Sequence, residues 1–184
     1  MAIPVWKKGL GLQRINEVKI CHERPWAKKH LGSLETAYAN APFFEDHLSF
    51  LETLFSERFE KLIDLNLNII QYLKKHLGIS ARVTLLSDLG IEAKEPQLSV
   101  EIAKKLGASH FLAQNSAKKH LDERAFRKAG IELTFFNPRP SVYPQLWGPF
   151  IPNLSTFDLI FNCGPKAFDI LEGAPCHRIK NAKC

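Results

Sequence analysis

The sequence predicts an α/β protein. Its sheet is expected to be mostly parallel, with a long helical insertion over about residues 24–77 between N-terminal strands and a βαβ region. Three observations predict this. Apolar residues recur at 48, 51, 55, 59, 62, 69, 70, 73 and 77, a helical spacing held over many turns. From residue 81 onward, short apolar runs alternate with amphipathic stretches that end at glycines, the order of a parallel sheet with right-handed crossovers. The first twenty residues carry two short apolar runs separated by a glycine- and glutamine-containing turn.

Each element follows in order. Ile3–Trp6 and Glu17–Ile20 are the two N-terminal strands. Arg24-Pro25-Trp26 opens a helix to about Ala39, since proline fits a first helical turn, and Ala41-Pro42 breaks it. Phe44–Leu77 is one long helix or two joined near Ser56, stopped by Gly78. Ala81–Ser87 is a strand, Gln97–Leu106 a helix closed by Gly107, and His110–Ala113 a strand. Asp122–Ala129 is a helix stopped by Gly130, and Ile131–Phe136 a strand. Ligands of such sheets bind beyond the carboxyl ends of the strands. Here those ends are Ser87-Asp88, Gln114-Asn115-Ser116 and Asn137-Pro138-Arg139, all polar. Residues 143–164 follow, a proline-framed loop running into a helix that Ser155 and Asp158 start as a capping box. Residues 1–172 are expected to form a single domain, and 173–184 a disordered basic tail.

With 184 residues, 45% hydrophobic and 24% charged, the chain has the composition of an ordinary globular protein. No apolar run is long enough to span a bilayer, and the N-terminus lacks the apolar centre of a secretory signal, so a cytoplasmic protein is expected. Cys21, Cys163, Cys176 and Cys184 form no Cys-x-x-Cys pair, which argues against a structural zinc site and for free thiols. The net charge of +6 suggests an anionic partner. Nucleic acid is disfavoured, because the aromatics follow apolar periodicities instead of alternating with Lys and Arg. The seven histidines have no compact ligand spacing, and the P-loop, Gly-x-Ser-x-Gly and Gly-x-Gly-x-x-Gly patterns are missing. No metal and no cofactor are therefore expected.

Lys-Lys-His-Leu occurs at 28–31, 74–77 and 118–121, but the flanks differ, so the copies are a coincidence in a lysine-rich chain. The second copy lies in a last helical turn, where cations favour the dipole. The first lies at a helix start, where Lys28, Lys29 and His30 beside free amides suit a phosphate or carboxylate. The third follows the polar strand end at 114–116. Asp158 and Asn162 are one helical turn apart and suit sugar hydroxyls, with Asp158 also a candidate general base. Tyr143 and Gln145 frame the pocket from the rigid loop, and Asp88 at a strand end is a further hydroxyl-binding candidate. Each has a bland alternative: a solvated basic face, a helix cap, a covered sheet edge, a turn.

An ordered set of segments resembles the WbqC-like family of bacterial proteins. The set comprises Trp26-Ala-Lys-Lys-His30 with Leu34, Ala37-Tyr38, Ala41-Pro42-Phe43-Phe44 and Ser87-Asp88-Leu89. It continues with Leu121-Asp122 and Phe126, Gly130-Ile131-Glu132-Leu133, Tyr143-Pro144-Gln145, Phe150 through Ser155, Asp158 and Phe161-Asn162-Cys163-Gly164. The match covers about residues 2–172. The resemblance implies a transferase or modifying enzyme of nucleotide-linked sugar precursors, since similar proteins are encoded among genes for O-antigen and other surface polysaccharides. On that reading Asp158 and His30 are catalytic, and Lys28, Lys29, Asp88, Tyr143, Gln145 and Asn162 bind substrate. Members usually carry about fifty further N-terminal residues with a Gln-Pro-Tyr-x-x-Pro-type opening, so an N-terminally short domain is expected. They also tend to have Ser-Gly and a later Tyr where this chain has Ser116-Ala117 and His120. The alternative is a non-catalytic ligand-binding or protein-interaction domain derived from such an enzyme.

Overall fold

The computed structural model describes residues 2–138 and 140–173, and combines many helices with a small parallel sheet. It divides into two compact units, one formed by Met1–Ser80 with Ser141–Leu171 and the other centred on Ala81–Pro140. The expected basic tail lies, from residue 174 on, outside the described residues.

In the first unit the helices are α1 (Trp26–Tyr38), α2 (Glu45–Ser56), α3 (Leu62–His76), α7 (Thr156–Cys163) and α8 (Ala167–Gly173). Two adjoining apolar clusters hold them. Phe44, Leu51, Leu77, Leu159, Ile160 and Phe161 form one, and Ile20, Trp26, Leu54, Phe59 and Leu65 the other. Phe44 and Phe161 are edge-to-face with ring centroids 5.1 Å apart, and the Phe43 amide donates to the Phe161 carbonyl at 3.0 Å. Aromatic pairs of this geometry add to the burial that drives folding.

The second unit contains α4 (Leu86–Leu89), α5 (Gln97–Lys105), β1 (His110–Gln114), α6 (Glu123–Lys128) and β2 (Glu132–Phe136). Strands β1 and β2 pair in parallel, with His110 opposite Glu132 and Gln114 opposite Phe136. Val100, Ala103, Phe126 and Ile131 make its core, and Phe126 is fully buried. The β–α–β order, helix stops and strand limits agree with the sequence pattern to within a residue or two.

Two expectations need correction. The N-terminal strands reduce to single antiparallel bridges, Val5 with Ile20 and Lys19 with Lys61. Pro4 has no N–H for a longer ladder, and the intervening turn is exposed, Leu12 completely. The strand at Ala81–Ser87 is absent: residues 81–85 form no ladder and α4 begins at Leu86. Val83 and Leu86 are exposed, so no apolar face here drives strand pairing. The parallel sheet thus has two strands. Of the two alternatives for Phe44–Leu77 the structure has two helices parting after Ser56, because Glu57 turns extended (ψ 135°) and the following segment joins the N-terminal residues. The Ile20 amide donates to the Glu60 carbonyl and the Leu62 amide to the Val18 carbonyl, each at 2.9 Å. Those bonds replace the helical ones that residues 57–61 forgo. No described helix is long and apolar enough to cross a membrane.

Gly164 ends α7 at φ 51°, ψ −126°, a region almost closed to other residues, and a Cβ there would sit 2.5 Å from the Phe43 ring. We expect Gly164→Ala to lower unfolding free energy by about 1–3 kcal/mol. Gly78→Ala, at φ 64° in open space, should cost less. Denaturant melts of the two variants check the order.

Candidate functional site

α7 is buried over Asp158–Cys163, all round its last turns, and one of those buried residues is a carboxylate. Ser155 starts the helix by accepting from the Phe157 amide at 3.3 Å, and the Asp158 amide donates to the Ser155 carbonyl at 2.9 Å. The expected capping box is therefore half made: the Asp158 side chain does not reach back, because other donors claim it. Tyr38 Oη donates to Oδ1 at 2.9 Å. Tyr143 Oη donates to Oδ2 at 2.7 Å, and Gln145 Nε2 reaches the same oxygen at 3.3 Å. An unpaired carboxylate would be costly here, and three donors in the first turn of a helix offset that cost. Burial, and then the bond to Asp158, raise the pKa of Tyr38 well above the ordinary phenol range and that of Tyr143 to about 12. Both phenols stay protonated and keep donating at neutral pH.

The proline-framed loop is fixed from inside. The Gln145 side chain mimics a strand partner: Nε2 donates to the Ile151 carbonyl and the Ile151 amide donates to Oε1, both at 2.9 Å. Asn153 takes φ 60°, a conformation asparagine tolerates better than most residues. Trp147 Nε1 donates to the Ala37 carbonyl at 3.2 Å, tying the loop to the end of α1. Along α1, Lys29, Gly32, Ser33, Thr36 and Ala37 line a shallow hollow of about 550 Å³. Ser33 and Thr36 turn their hydroxyls to the Lys29 and Gly32 carbonyls, both at 2.7 Å.

The structure thus brings Asp158, Tyr143 and Gln145 together. Asn162 stays close through its own backbone, its Nδ2 donating to the Asp158 carbonyl at 2.8 Å. Lys29 lines the hollow on the helix that carries Tyr38, and Lys28 is exposed. His30 packs edge-on against Trp26 and Phe55, with centroids 5.3 and 6.1 Å away, and burial lowers its pKa. Asp88 belongs to the other unit, on α4, where it accepts from Ser87 Oγ at 3.3 Å. Of the three polar strand ends, 114–116 does follow β1 and enters a 3-10 turn, Asn115–His120, which holds the third Lys-Lys-His. Asn137-Pro138 follows β2, and Arg139 lies outside the described residues. Among the described residues, no three His, Cys, Asp or Glu gather closely enough to hold a metal ion.

Two things escaped the sequence reading. Tyr38 stands in the resembling motif, yet nothing local shows that it meets a carboxylate. His47 of α2 is buried, shares Nδ1 with Tyr72 Oη at 2.7 Å, and has the His76 ring 4.8 Å away. A histidine four and seven residues before the buried Leu51 and Leu54 was the available signal. Burial first, then the neighbouring His76, lower the His47 pKa, while Asp46 opposes. Burial, then Lys75, lower that of His76.

Tyr38→Phe and Tyr143→Phe each leave a buried carboxylate oxygen short of a donor. We expect each to cost about 1–3 kcal/mol in denaturant melts. Because the two histidines bind protons less readily folded than unfolded, their contribution is complete above about pH 6.5 and is lost as pH falls through the folded values. The melting midpoint should drop between about pH 7 and pH 5. His76→Gln, at an exposed position, should flatten that drop.

The chain matches the model of the WbqC-like protein family over residues 1–170. It is also similar to the uncharacterised protein Rv1507c of Mycobacterium tuberculosis, 31% identical over 173 residues that cover 93% of this chain and 74% of that protein. No solved structure matches. With the family model matched along nearly the whole described chain, the protein belongs to the WbqC-like family.

Proposed function

We propose that this protein is a cytoplasmic transferase or modifying enzyme acting on nucleotide-linked sugars in the synthesis of bacterial surface polysaccharides such as O-antigen. One observation carries the reading. Ala37 both lines the Lys29 hollow and accepts the Trp147 indole, so the proline-framed loop and the basic helix share one surface. Family membership and the net charge of +6 point the same way. Lys28 and Lys29 would meet phosphate, and Gln145 and Asn162 the sugar side. Tyr143 would frame the hollow in an orientation that Asp158 fixes. His30, kept neutral by burial, is the better of the two proton acceptors, because both oxygens of Asp158 already accept hydrogen bonds.

The same saturation of Asp158 favours a second reading, a ligand-binding or interaction domain without catalysis. The two separate on turnover: a domain of the second kind leaves a nucleotide sugar unchanged, and only the enzyme transfers or alters it.

Melting in the presence of UDP-, GDP- and dTDP-sugars tests the ligand class. One of them should stabilise the protein, by about 2.7 kcal/mol at a hundred times its Kd, with a smaller effect in Lys29→Ala. If none shifts the melt while single-stranded RNA does, the proposal fails.

A further inference from the structure

Between the bridged residues Val5 and Ile20 the chain makes an outward loop that is held in shape from within. At its base the Trp6 amide donates to the Lys19 carbonyl at 3.0 Å, and Gln13 Nε2 donates to the Trp6 carbonyl at 2.9 Å. Each limb then makes its own turn. The Leu10 amide donates to the Lys7 carbonyl at 3.2 Å, and the Glu17 amide to the Arg14 carbonyl at 2.9 Å. What this fixed loop displays is apolar. Leu12 is completely exposed, Leu10 and Ile15 are more than half exposed, and Trp6 is 43% exposed at the base. A Cβ at Gly9 or Gly11, on either side of Leu10, would meet nothing within 4 Å, so the tip stands clear of its own unit. Aliphatic side chains held in water in this way contribute little to the fold, and a second apolar medium would bury them.

The charges around the tip point to that medium. Residues 9–12 are Gly-Leu-Gly-Leu, without charge, and cations flank them on both limbs, Lys7 and Lys8 before and Arg14 after. All three are exposed, and among the described residues none has an acidic ion-pair partner. Glu17 is the first acid of the sequence, and its carboxylate turns back into the loop to accept from the Arg14 amide at 3.2 Å. An uncharged aliphatic tip inside a collar of cations, with an indole at the base, matches the layers of an anionic bilayer surface. Two other occupants fit less well. A second copy would bring a second set of three cations against the first. A nucleic acid would need stacking faces, and the tip offers aliphatic chains.

We propose that the loop of residues 6–17 is a peripheral docking element for an anionic lipid surface. Leu10 and Leu12 enter the acyl boundary, Trp6 and Ile15 lie at the interface, and Lys7, Lys8 and Arg14 pair with lipid phosphates. Two leucines and three cations make the contact weak and reversible, of the order that one acyl chain provides. It uses none of the residues of the Lys29 hollow and does not rest on the nucleotide-sugar reading.

Co-sedimentation with vesicles of phosphatidylglycerol and phosphatidylcholine, and with vesicles of phosphatidylcholine alone, tests it. The native protein should bind the anionic vesicles, and should bind the neutral ones about tenfold or more less tightly. High salt should weaken the anionic binding in the same way. Leu10→Ser with Leu12→Ser should weaken it about tenfold or more without lowering the melting temperature, since the tip packs on nothing. Lys7→Gln with Lys8→Gln should also weaken it about tenfold or more. Lys105→Gln with Lys128→Gln, the same charge change at exposed positions of the second unit, should leave it within about twofold. Leu12→Trp should keep the binding, and its added indole should shift to the blue on anionic vesicles only. Equal binding to neutral vesicles, a serine pair that binds as the native protein does, or equal losses in the two lysine pairs overturns the proposal. Absence of vesicle binding overturns it too, and lipid-free self-association that the serine pair abolishes then assigns the tip to a second copy.

Discussion

A carboxylate sealed inside a helix must be given donors, and much of the first unit is arranged around that requirement. Asp158 draws Tyr38 from the end of α1 and Tyr143 and Gln145 from the loop that precedes α7. The apolar cluster around Phe44 and Phe161 could be assembled from hydrophobic side chains in several registers, since burial is not directional. Three hydrogen bonds of fixed geometry to one buried group admit far fewer. The polar centre thus sets the register, and the aromatic packing around it supplies most of the free energy.

The two kinds of interaction also divide the labour between stability and recognition. Trp26 is a core residue by burial, yet it stands at the wall of a cavity beside two arginines. His30 resembles a surface base in the sequence and is, in the structure, an edge-on neighbour that holds the Trp26 ring in place. Lys29, one residue earlier on the same helix, turns to a different hollow. A helix presents successive residues about 100° apart, so the side chains of a run such as Lys-Lys-His leave it in different directions.

What the sequence discloses is what neighbours in the chain decide. The helix at 97–105, the strands at 110–114 and 132–136 and the Ser155 cap follow from periodicity, glycine stops and a hydroxyl at the right place. The failures are non-local. The sequence leaves one helix or two open at Ser56, because the choice is made by the bonds of Glu60 and Leu62 to residues 18–20. The supposed strand at 81–87 has alternation but no partner ladder. Of the candidate site, Tyr143, Gln145 and Asp158 were visible as polar groups in an apolar frame, whereas Tyr38 lies 120 residues from the aspartate it serves. His47 was hidden by its own position, because a histidine on an apolar stripe is read as an interruption until its tyrosine partner is seen.

The double bond between the Gln145 side chain and Ile151 has an evolutionary consequence. It closes a ring whose shape is set at its ends, by one amide side chain and one backbone unit. The residues inside the ring contribute little to closing it, although Leu146 packs on the core and Trp147, largely exposed, gives its indole N–H to Ala37. Such a ring can exchange its interior side chains and alter what it displays without refolding. Diversity in what the molecule contacts can then accumulate in a few positions while the carboxylate-centred scaffold beneath stays as it is.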